Sequence, residues 1–284
     1  MSALPDPDPW TPLASGLCPL PDGRRLSFLE FGDPAGTPVV WCHGTPGGAS
    51  EATVAAASAR ELGVRLISPS RPGMGLSDAR RSPRPGGRVI DWPDDLAHLA
   101  DHLDLGSFGL LGVSGGGPFA LATALRLPER LTGVALLAPA GPRSGRQPPR
   151  WLLRAAGAAM QAPIVPAALG VLAPLVNPAF RRLPREASAG MIRAAREGAT
   201  PAGAQEMLLH THGDWGFDPA DVRLRGIRVW QGLKDLQVRP AETRALAARL
   251  PEASLIELPA EDHLSLIGRH AEVALAWLAA QGRP

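Results

Sequence analysis

Short apolar runs alternate with longer amphipathic stretches along most of the chain, from about residue 25 onward. Several runs are apolar at nearly every position, which is expected of strands that are buried on both faces of a sheet. Alternation of such strands with helices is typical of a mostly parallel sheet that is covered by helices. We therefore predict strands at residues 26–31, 39–42, 65–68, 108–113, 133–137, 227–231 and 254–258.

Helical periodicity lies between these runs and after the last one, at residues 91–103, 118–127 and 264–280. The alternation stops after Leu137 and resumes only at Ile227, and the chain between them consists of helical fragments separated by prolines. This pattern predicts an α/β fold with a mostly parallel, twisted sheet of about eight strands flanked by helices. We expect a core domain of residues 1–139 and 223–284, with a helical cap of residues 140–222 inserted between two strands. The Pro-rich ends of the chain are interpreted as loose tails.

The composition is typical of a globular protein and gives no sign of nucleic-acid binding or of a disulfide framework. With 284 residues, of which 45% are hydrophobic, the chain is long enough to bury one sizeable core. The formal net charge is only +2, which gives no reason to expect a nucleic-acid partner. Two cysteines are too few for a disulfide framework, so we expect a reduced, cytoplasmic protein.

Nothing in the sequence predicts export or insertion into a membrane. The first ten residues have neither the basic start nor the apolar run of a signal peptide. The longest apolar region, residues 151–180, is interrupted by prolines and polar residues, whereas a membrane span needs about 20 largely uninterrupted apolar residues. We expect a small-molecule substrate as the partner and no membrane span, and we leave the oligomeric state open.

The segment Gly112-Val-Ser-Gly-Gly116 matches the pattern G-x-S-x-G, which is weak on its own because it occurs often by chance. Its position strengthens the match, because it follows the predicted strand at 108–113 and precedes a predicted helix, as the nucleophile motif does in a strand–turn–helix unit. A tight turn at that place lifts a serine hydroxyl toward a substrate, and the N-terminus of the helix adds a positive potential. Ser114 is therefore the candidate nucleophile.

A glycine-rich loop, His43-Gly-Thr-Pro-Gly-Gly48, follows the predicted strand at 39–42. Such a loop allows backbone N–H groups to point outward at a ligand. With this loop the chain, over about residues 25–281, resembles the α/β-hydrolase superfamily, in which a His-Gly-x-Pro-like loop supplies one oxyanion donor. The resemblance implies an oxyanion hole formed by the backbone N–H groups of Thr45 and Gly115. His43 is interpreted as a residue that shapes the loop.

The segment from Arg71 to Asp78 resembles a turn that follows the next strand in many members of the same superfamily. The resemblance supports the fold. We assign no chemistry to this segment.

A serine hydroxyl needs a base to remove its proton and a third group that orients the base. In the superfamily the chain order is serine, then an acid, then histidine. Asp235, in a Gly-x-x-Asp turn after the predicted strand at 227–231, resembles the acid. The other position that some members use is excluded, because no Asp or Glu lies between Glu129 and Glu186.

His263 lies between the last predicted strand and the final helix, which is the position of the catalytic histidine in the superfamily. Asp262 adjoins it too closely to serve as the acid. His98 and His102 lie four residues apart on a predicted helix and are expected to face solvent. Nothing near them completes a four-ligand zinc site, so we assign no metal and no cofactor.

Hydrolysis of a carboxylic ester, lactone or thioester through an acyl-enzyme is the leading functional hypothesis. A serine at position 114 disfavours the relatives with an aspartate nucleophile, the epoxide hydrolases and haloalkane dehalogenases. Two alternatives remain: a lyase or carbon–carbon bond hydrolase that uses the same residues, and a ligand receptor that barely turns over. Apolar side chains of the cap are expected to line the substrate pocket, among them Trp151, Met160, Met207 and Trp215.

Overall fold

A computed structural model describes residues 8–80, 88–141, 183–212 and 215–282. One mixed sheet forms its centre, with the strand order β1-β2-β4-β3-β5-β6-β7-β8. Its strands are β1 (Ala14–Pro19), β2 (Arg25–Gly32), β3 (Thr37–Cys42), β4 (Val64–Pro69), β5 (Phe108–Val113), β6 (Leu131–Leu137), β7 (Ile227–Gly232) and β8 (Ala253–Leu258). Strand β2 pairs antiparallel with β1 and β4, and all the other neighbours are parallel. The prediction of a mostly parallel sheet of about eight strands is confirmed.

Helices cover the sheet, as predicted. In the described part of the chain they are α1 (Ala56–Glu61), α2 (Trp92–His102), α3 (Gly117–Arg126), α4 (Arg185–Gly198), α5 (Pro201–His212), α6 (Pro240–Ala247) and α7 (His263–Gln281). Helices α4 and α5 lie in the segment between β6 and β7, where the sequence predicts an inserted cap. None of the helices within the described ranges combines the length and apolarity that crossing a membrane requires.

The two faces of the sheet each bury their own apolar cluster, and strand β3 contributes to both. Val40 and Cys42 lie in one cluster, whereas Val39 and Trp41 lie in the other. Successive side chains of a strand point to opposite faces, so a strand buried on both faces must be apolar at every position. This double burial explains the continuous apolar runs in the sequence.

Strand β1 was not among the predicted strands, and it adds to the sheet a segment that lies between the Pro-rich N-terminal end and the first predicted strand. Cys18 is the only residue of β1 that is buried, so the strand lacks the apolar pattern by which the others were found. Backbone pairing with β2 holds it at the edge of the sheet, next to a turn in which Gly23 has a φ of 84°. Glycine tolerates that left-handed conformation without steric cost.

The carboxyl ends of the parallel strands meet at one edge of the sheet, where ligands commonly bind in open α/β folds. Strands β3, β5, β7 and β8 end there, and each is followed by one of the segments to which the sequence assigns chemistry. The fold therefore brings those segments to a common edge.

Candidate active site

Ser114 occupies a strained turn between β5 and α3. Its φ is 50°, a left-handed conformation that residues other than glycine rarely adopt and that is concentrated at functional sites. The turn is tight because glycines surround it: a Cβ on Gly112 would lie 2.9 Å from the Cβ of Ala120. A Cβ on Gly116 would lie 2.0 Å from the carbonyl oxygen of Cys42. The strand, turn and helix that the sequence predicts around the serine are all present.

Asp235 and His263 are in direct contact at the same edge. Nδ1 of His263 lies 2.7 Å from Oδ2 of Asp235, and the two residues are 6% and 2% exposed. The other carboxylate oxygen, Oδ1, accepts backbone N–H groups from Gln237 at 2.8 Å and from Val238 at 2.9 Å. A carboxylate oxygen accepts hydrogen bonds, so Nδ1 is the donor of this bond, and Nε2 is the ring nitrogen on the side away from Asp235.

The turn that carries Asp235 is held by two residues that the sequence analysis did not identify. Gln231 is fully buried at the end of β7, and its Nε2 donates to the carbonyl oxygens of Gly232 at 2.9 Å and Val238 at 3.1 Å. Thr243 of α6 donates its hydroxyl to Oε1 of Gln231 at 2.6 Å. The signal in the sequence was a glutamine at the end of an otherwise apolar strand, since a buried amide needs partners.

Asp262, the neighbour of His263, has a different role. Its side chain accepts the backbone N–H of Ser265 at 2.8 Å, and the Ser265 hydroxyl accepts the N–H of Asp262 at 2.9 Å. This reciprocal capping box begins helix α7. Asp262 is therefore occupied at the start of the helix, in keeping with the sequence argument against it as the acid.

Ser114 and His263 follow different strands and converge on the same edge of the sheet. Among the described residues, no hydrogen bond joins the Ser114 hydroxyl to the His263 ring. Catalytic hydrogen bonds are often long in the absence of substrate and tighten when it binds. The structure thus holds the His263 ring in place and Ser114 in a strained turn, with no hydrogen bond between the two side chains in the part of the chain that it describes.

The loop after β3 lies against Ser114. A Cβ on Gly44 would lie 3.5 Å from the Cβ of Ser114, so the backbone of this loop borders the serine directly. Gly115, the second expected oxyanion donor, is buried in the short turn that follows the serine. Thr45 belongs to the loop itself. The two backbone groups that the sequence predicts as donors therefore lie in segments that flank Ser114.

A buried carboxylate that was not predicted from the sequence, Glu51, binds the start of this loop at Gly44. Its oxygens accept the N–H of Gly44 at 2.9 and 3.0 Å, and Oε1 accepts the indole N–H of Trp41 at 3.0 Å. Burial raises the pKa of Glu51, and the hydrogen bonds from Gly44 and Trp41 oppose that shift. The N–H of Gly44 is thereby occupied, and this bond anchors the peptide that precedes the Gly44–Thr45 peptide unit.

His43 shapes the loop, as the sequence analysis expects. The ring is fully buried, and its Nε2 accepts the backbone N–H of Arg71 at 3.2 Å. Nδ1 therefore carries the proton and donates to the carbonyl oxygen of Gly44 at 2.8 Å. Burial, with the positive charge of Arg71, holds the pKa of His43 well below its ordinary value. A neutral ring with both nitrogens occupied has no capacity left for proton transfer.

The expected pocket residues fall into three groups. Trp151 and Met160 lie outside the described residues. Met207 is half-buried on α5. Trp215 is 2% exposed and belongs to a core cluster, where its ring lies 5.9 Å from that of Phe217. In the ranges that the structure describes, no group of three or more His, Cys, Asp or Glu residues could hold a metal ion.

Comparison with known proteins gives consistent matches. Residues 37–162 match the protein family described as alpha/beta hydrolase fold. The chain is 34% identical over 129 residues to a 2-hydroxy-6-oxo-2,4-heptadienoate hydrolase from Pseudomonas putida, a match that covers 43% of the chain and 44% of that protein. Matches to the first four curated relatives cover 31 to 44% of those proteins, so the chain spans less than half of each.

Solved structures resemble the fold over nearly the whole chain. A thermophilic esterase from Thermogutta terrifontis has a TM-score of 0.69 at 24% identity, with 95% of this chain and 100% of that one covered. An enol-lactonase from Burkholderia xenovorans LB400 has a TM-score of 0.69 at 21% identity, with 91% and 96% covered. At such identities the likeness establishes the fold.

Proposed function

We propose that this chain is a serine hydrolase of the α/β-hydrolase fold superfamily and that it cleaves a carboxylic ester, lactone or thioester. The proposal rests on one combination of features at the edge of the sheet. A serine with a φ of 50° follows β5, and a buried Asp235–His263 pair joined at 2.7 Å follows β7 and β8. Strained serine, oriented base and buried acid are the parts that acyl transfer requires.

The proposed reaction begins when the Ser114 hydroxyl oxygen attacks the carbonyl carbon of the substrate and Nε2 of His263 takes its proton. The carbonyl π electrons move to the oxygen, and the backbone N–H groups of Thr45 and Gly115 stabilise the resulting oxyanion. The intermediate collapses to an acyl-enzyme as His263 protonates the leaving alcohol or thiol. Water then attacks the acyl group by the same sequence of steps and releases the acid. Asp235 stabilises the imidazolium form of His263 throughout.

A small-molecule substrate is proposed to bind between this edge and a cap of residues 140–222, of which α4 and α5 form part. Trp151, Met160 and Met207 remain the proposed pocket residues. Two of the solved structures with a similar fold are an esterase and an enol-lactonase. Their activities support the proposal of ester and lactone substrates for this chain.

A second candidate is hydrolysis of a carbon–carbon bond through the same three side chains. The observation that favours it is the relative from Pseudomonas putida, a 2-hydroxy-6-oxo-2,4-heptadienoate hydrolase, at 34% identity over 129 residues. An ester is cleaved at a carbon–oxygen bond and an oxo-dienoate at a carbon–carbon bond. Assays with both kinds of substrate therefore distinguish the two candidates.

The experiment is a panel of nitrophenyl esters, small lactones and one 2-hydroxy-6-oxo-dienoate, assayed with the wild-type protein and with Ser114→Ala. An initial burst of nitrophenol followed by slower turnover is expected, because nitrophenol leaves readily and breakdown of the acyl-enzyme then limits the rate. Turnover of the dienoate alone would favour the second candidate. Equal activity of Ser114→Ala on the esters would contradict both.

A further inference from the structure

We propose that Glu206 and Glu197, which belong to the inserted helices α5 and α4, are positioning residues of the oxyanion hole. The inference rests on the proposed serine hydrolase function. The loop from His43 to Ser50 is named the oxyanion loop, and the two glutamates bind it near its two ends.

The first contact is a buried ion pair between the inserted segment and the turn after β4. Arg71 and Glu206 are each 1% exposed, and they are 135 positions apart in the chain. The guanidinium binds the carboxylate through two bonds, from Nε to Oε1 at 2.8 Å and from Nη2 to Oε2 at 2.9 Å. The Arg71 guanidinium also lies 4.3 Å from the centre of the Phe119 ring. A bidentate ion pair of this kind fixes both the position and the plane of the guanidinium group.

The same guanidinium holds the oxyanion loop by its carbonyl groups. Nη1 of Arg71 donates to the carbonyl oxygen of His43 at 2.6 Å, and Nη2 donates to that of Gly44 at 3.0 Å. The Gly44 carbonyl also accepts from Nδ1 of His43 at 2.8 Å. Two donors thus fix the direction of this one carbonyl group.

The Gly44 carbonyl matters because it shares a peptide unit with the N–H of Thr45. A peptide unit is planar, and in the trans form its C=O and N–H bonds point in opposite directions. Whatever fixes the Gly44 carbonyl therefore aims the Thr45 N–H, the proposed oxyanion donor. Glu206 fixes the guanidinium, and the guanidinium fixes this carbonyl.

Glu206 also binds the oxyanion loop without an intermediary. The hydroxyl of Thr45 donates to its Oε2 at 3.0 Å, and Nη2 of Arg71 lies 3.2 Å from the same hydroxyl oxygen. The side chain of the donor residue is thus engaged by both members of the ion pair. A glutamate of α5 therefore restrains the proposed donor through its peptide unit and through its side chain.

Glu197 holds the other end of the loop. Its carboxylate accepts the backbone N–H of Ser50 at 3.1 Å and also the Ser50 hydroxyl. The next residue of α4, Gly198, packs so tightly on the loop that a Cβ there would lie 2.2 Å from the backbone nitrogen of Gly47. The end of α4 therefore packs directly against the backbone of the oxyanion loop at Gly47.

This arrangement makes the inserted helices part of the catalytic geometry. Oxyanion donors act mainly on the transition state, so a displaced donor lowers kcat while substrate binding is largely kept. A side chain that only lined the pocket would change KM instead. The two roles therefore separate in steady-state kinetics.

The test compares Glu206→Gln and Glu197→Gln with Glu186→Gln, a matched control on the exposed side of α4. On a soluble ester, Glu206→Gln is expected to lower kcat by about tenfold or more, because loss of one oxyanion donor costs about 10² to 10³ in kcat. KM should stay within about twofold. Glu197→Gln should have a smaller effect of the same kind, and Glu186→Gln should behave as wild type.

A second readout reports the oxyanion hole directly. A trifluoromethyl ketone adds to a serine nucleophile and forms a negatively charged hemiketal that resembles the intermediate. Glu206→Gln should weaken its inhibition by the same factor as kcat, whereas Glu186→Gln should not. Unchanged kcat and unchanged inhibition in folded Glu206→Gln would overturn the proposal, and so would a loss confined to KM.

Thr45→Val provides an independent route if Glu206→Gln does not fold. It removes the hydroxyl that joins the loop to the ion pair, and it leaves the ion pair and the Thr45 N–H in place. Lower kcat with little change in KM is expected, and wild-type kcat would overturn the proposal. Ser114→Ala is assayed alongside: activity that survives it contradicts the proposed function itself, whereas activity that needs Ser114 and ignores Glu206 contradicts only the positioning role.

Discussion

Nδ1 of His263 lies 2.7 Å from Oδ2 of Asp235, although the two residues are 28 positions apart in the chain. The aspartate is buried, and its other oxygen is occupied by two backbone N–H groups. The oxygen that faces the ring, Oδ2, also lies 3.5 Å from Nε2 of Gln231, and its short bond to Nδ1 sets both the tautomer and the orientation of the ring.

Replacing Asp235 by Asn should impair catalysis severely, because an amide cannot hold the histidine in its productive tautomer; in the serine proteases the equivalent change costs about 10⁴ in kcat. Asp262→Asn is the matched control, since Asn is as good a helix N-cap as Asp. Steady-state kinetics on one ester compare the two. If Asp262→Asn lost more activity than Asp235→Asn, the residue that orients His263 would be Asp262 and not Asp235.

The pH dependence of kcat/KM should rise from acid to neutral pH along a curve for a single proton, because His263 must be neutral to accept the proton from Ser114. His43 should add no second step, since burial holds its pKa well below the ordinary value and it stays neutral throughout. A profile that is flat across the range, with the fold intact at each pH, contradicts the role of His263.

Both thiols should be unreactive in the folded protein. Burial raises the pKa of Cys42 to about 12 and also raises that of Cys18, so at pH 8 both are protonated as well as inaccessible. Ellman's reagent should therefore react slowly with native protein and rapidly with protein in guanidinium chloride. Rapid reaction of one equivalent in the native state would show that one of these sites is open.

A buried ion pair should support the fold away from the active site. Arg24 donates to Asp95 through two bonds of 2.6 and 2.9 Å, and the residues are 6% and 5% exposed. Breaking one partner of such a pair costs about 3 to 5 kcal/mol, so Asp95→Asn should lower the free energy of unfolding by that order. Asp94 pairs with an arginine at the exposed surface, so Asp94→Asn should lower the free energy of unfolding by only about 0 to 1 kcal/mol. Urea denaturation measures both, and equal losses would contradict the assignment.

The sequence was informative where burial imposes a pattern on neighbouring residues. Strand β5 and the turn at Ser114 were predictable because double burial demands an apolar run and the turn demands glycines at fixed spacing. Strand β1 was not, because an edge strand with one buried residue is held by backbone bonds that leave no side-chain pattern.

The missed site residues have a different cause. Arg71 and Glu206 meet across 135 positions, and Glu51 reaches a backbone N–H of the oxyanion loop. Charged residues at these positions look like ordinary surface residues in a sequence, since only the folded chain shows which of them are buried. Gln231 is similar: its place in an apolar strand could be noticed, but its partners could not be named from the sequence.

A fluorophosphonate probe tests most directly whether Ser114 is the nucleophile. The probe reacts covalently with an activated serine, and peptide mass spectrometry identifies the modified residue. We expect one label, on Ser114, and no labelling of Ser114→Ala whose fold is unchanged by circular dichroism. Loss of a triad member typically costs several orders of magnitude in rate, so hydrolysis should fall in parallel. Labelling of another serine, or more than about a tenth of wild-type hydrolysis in Ser114→Ala, would contradict the account.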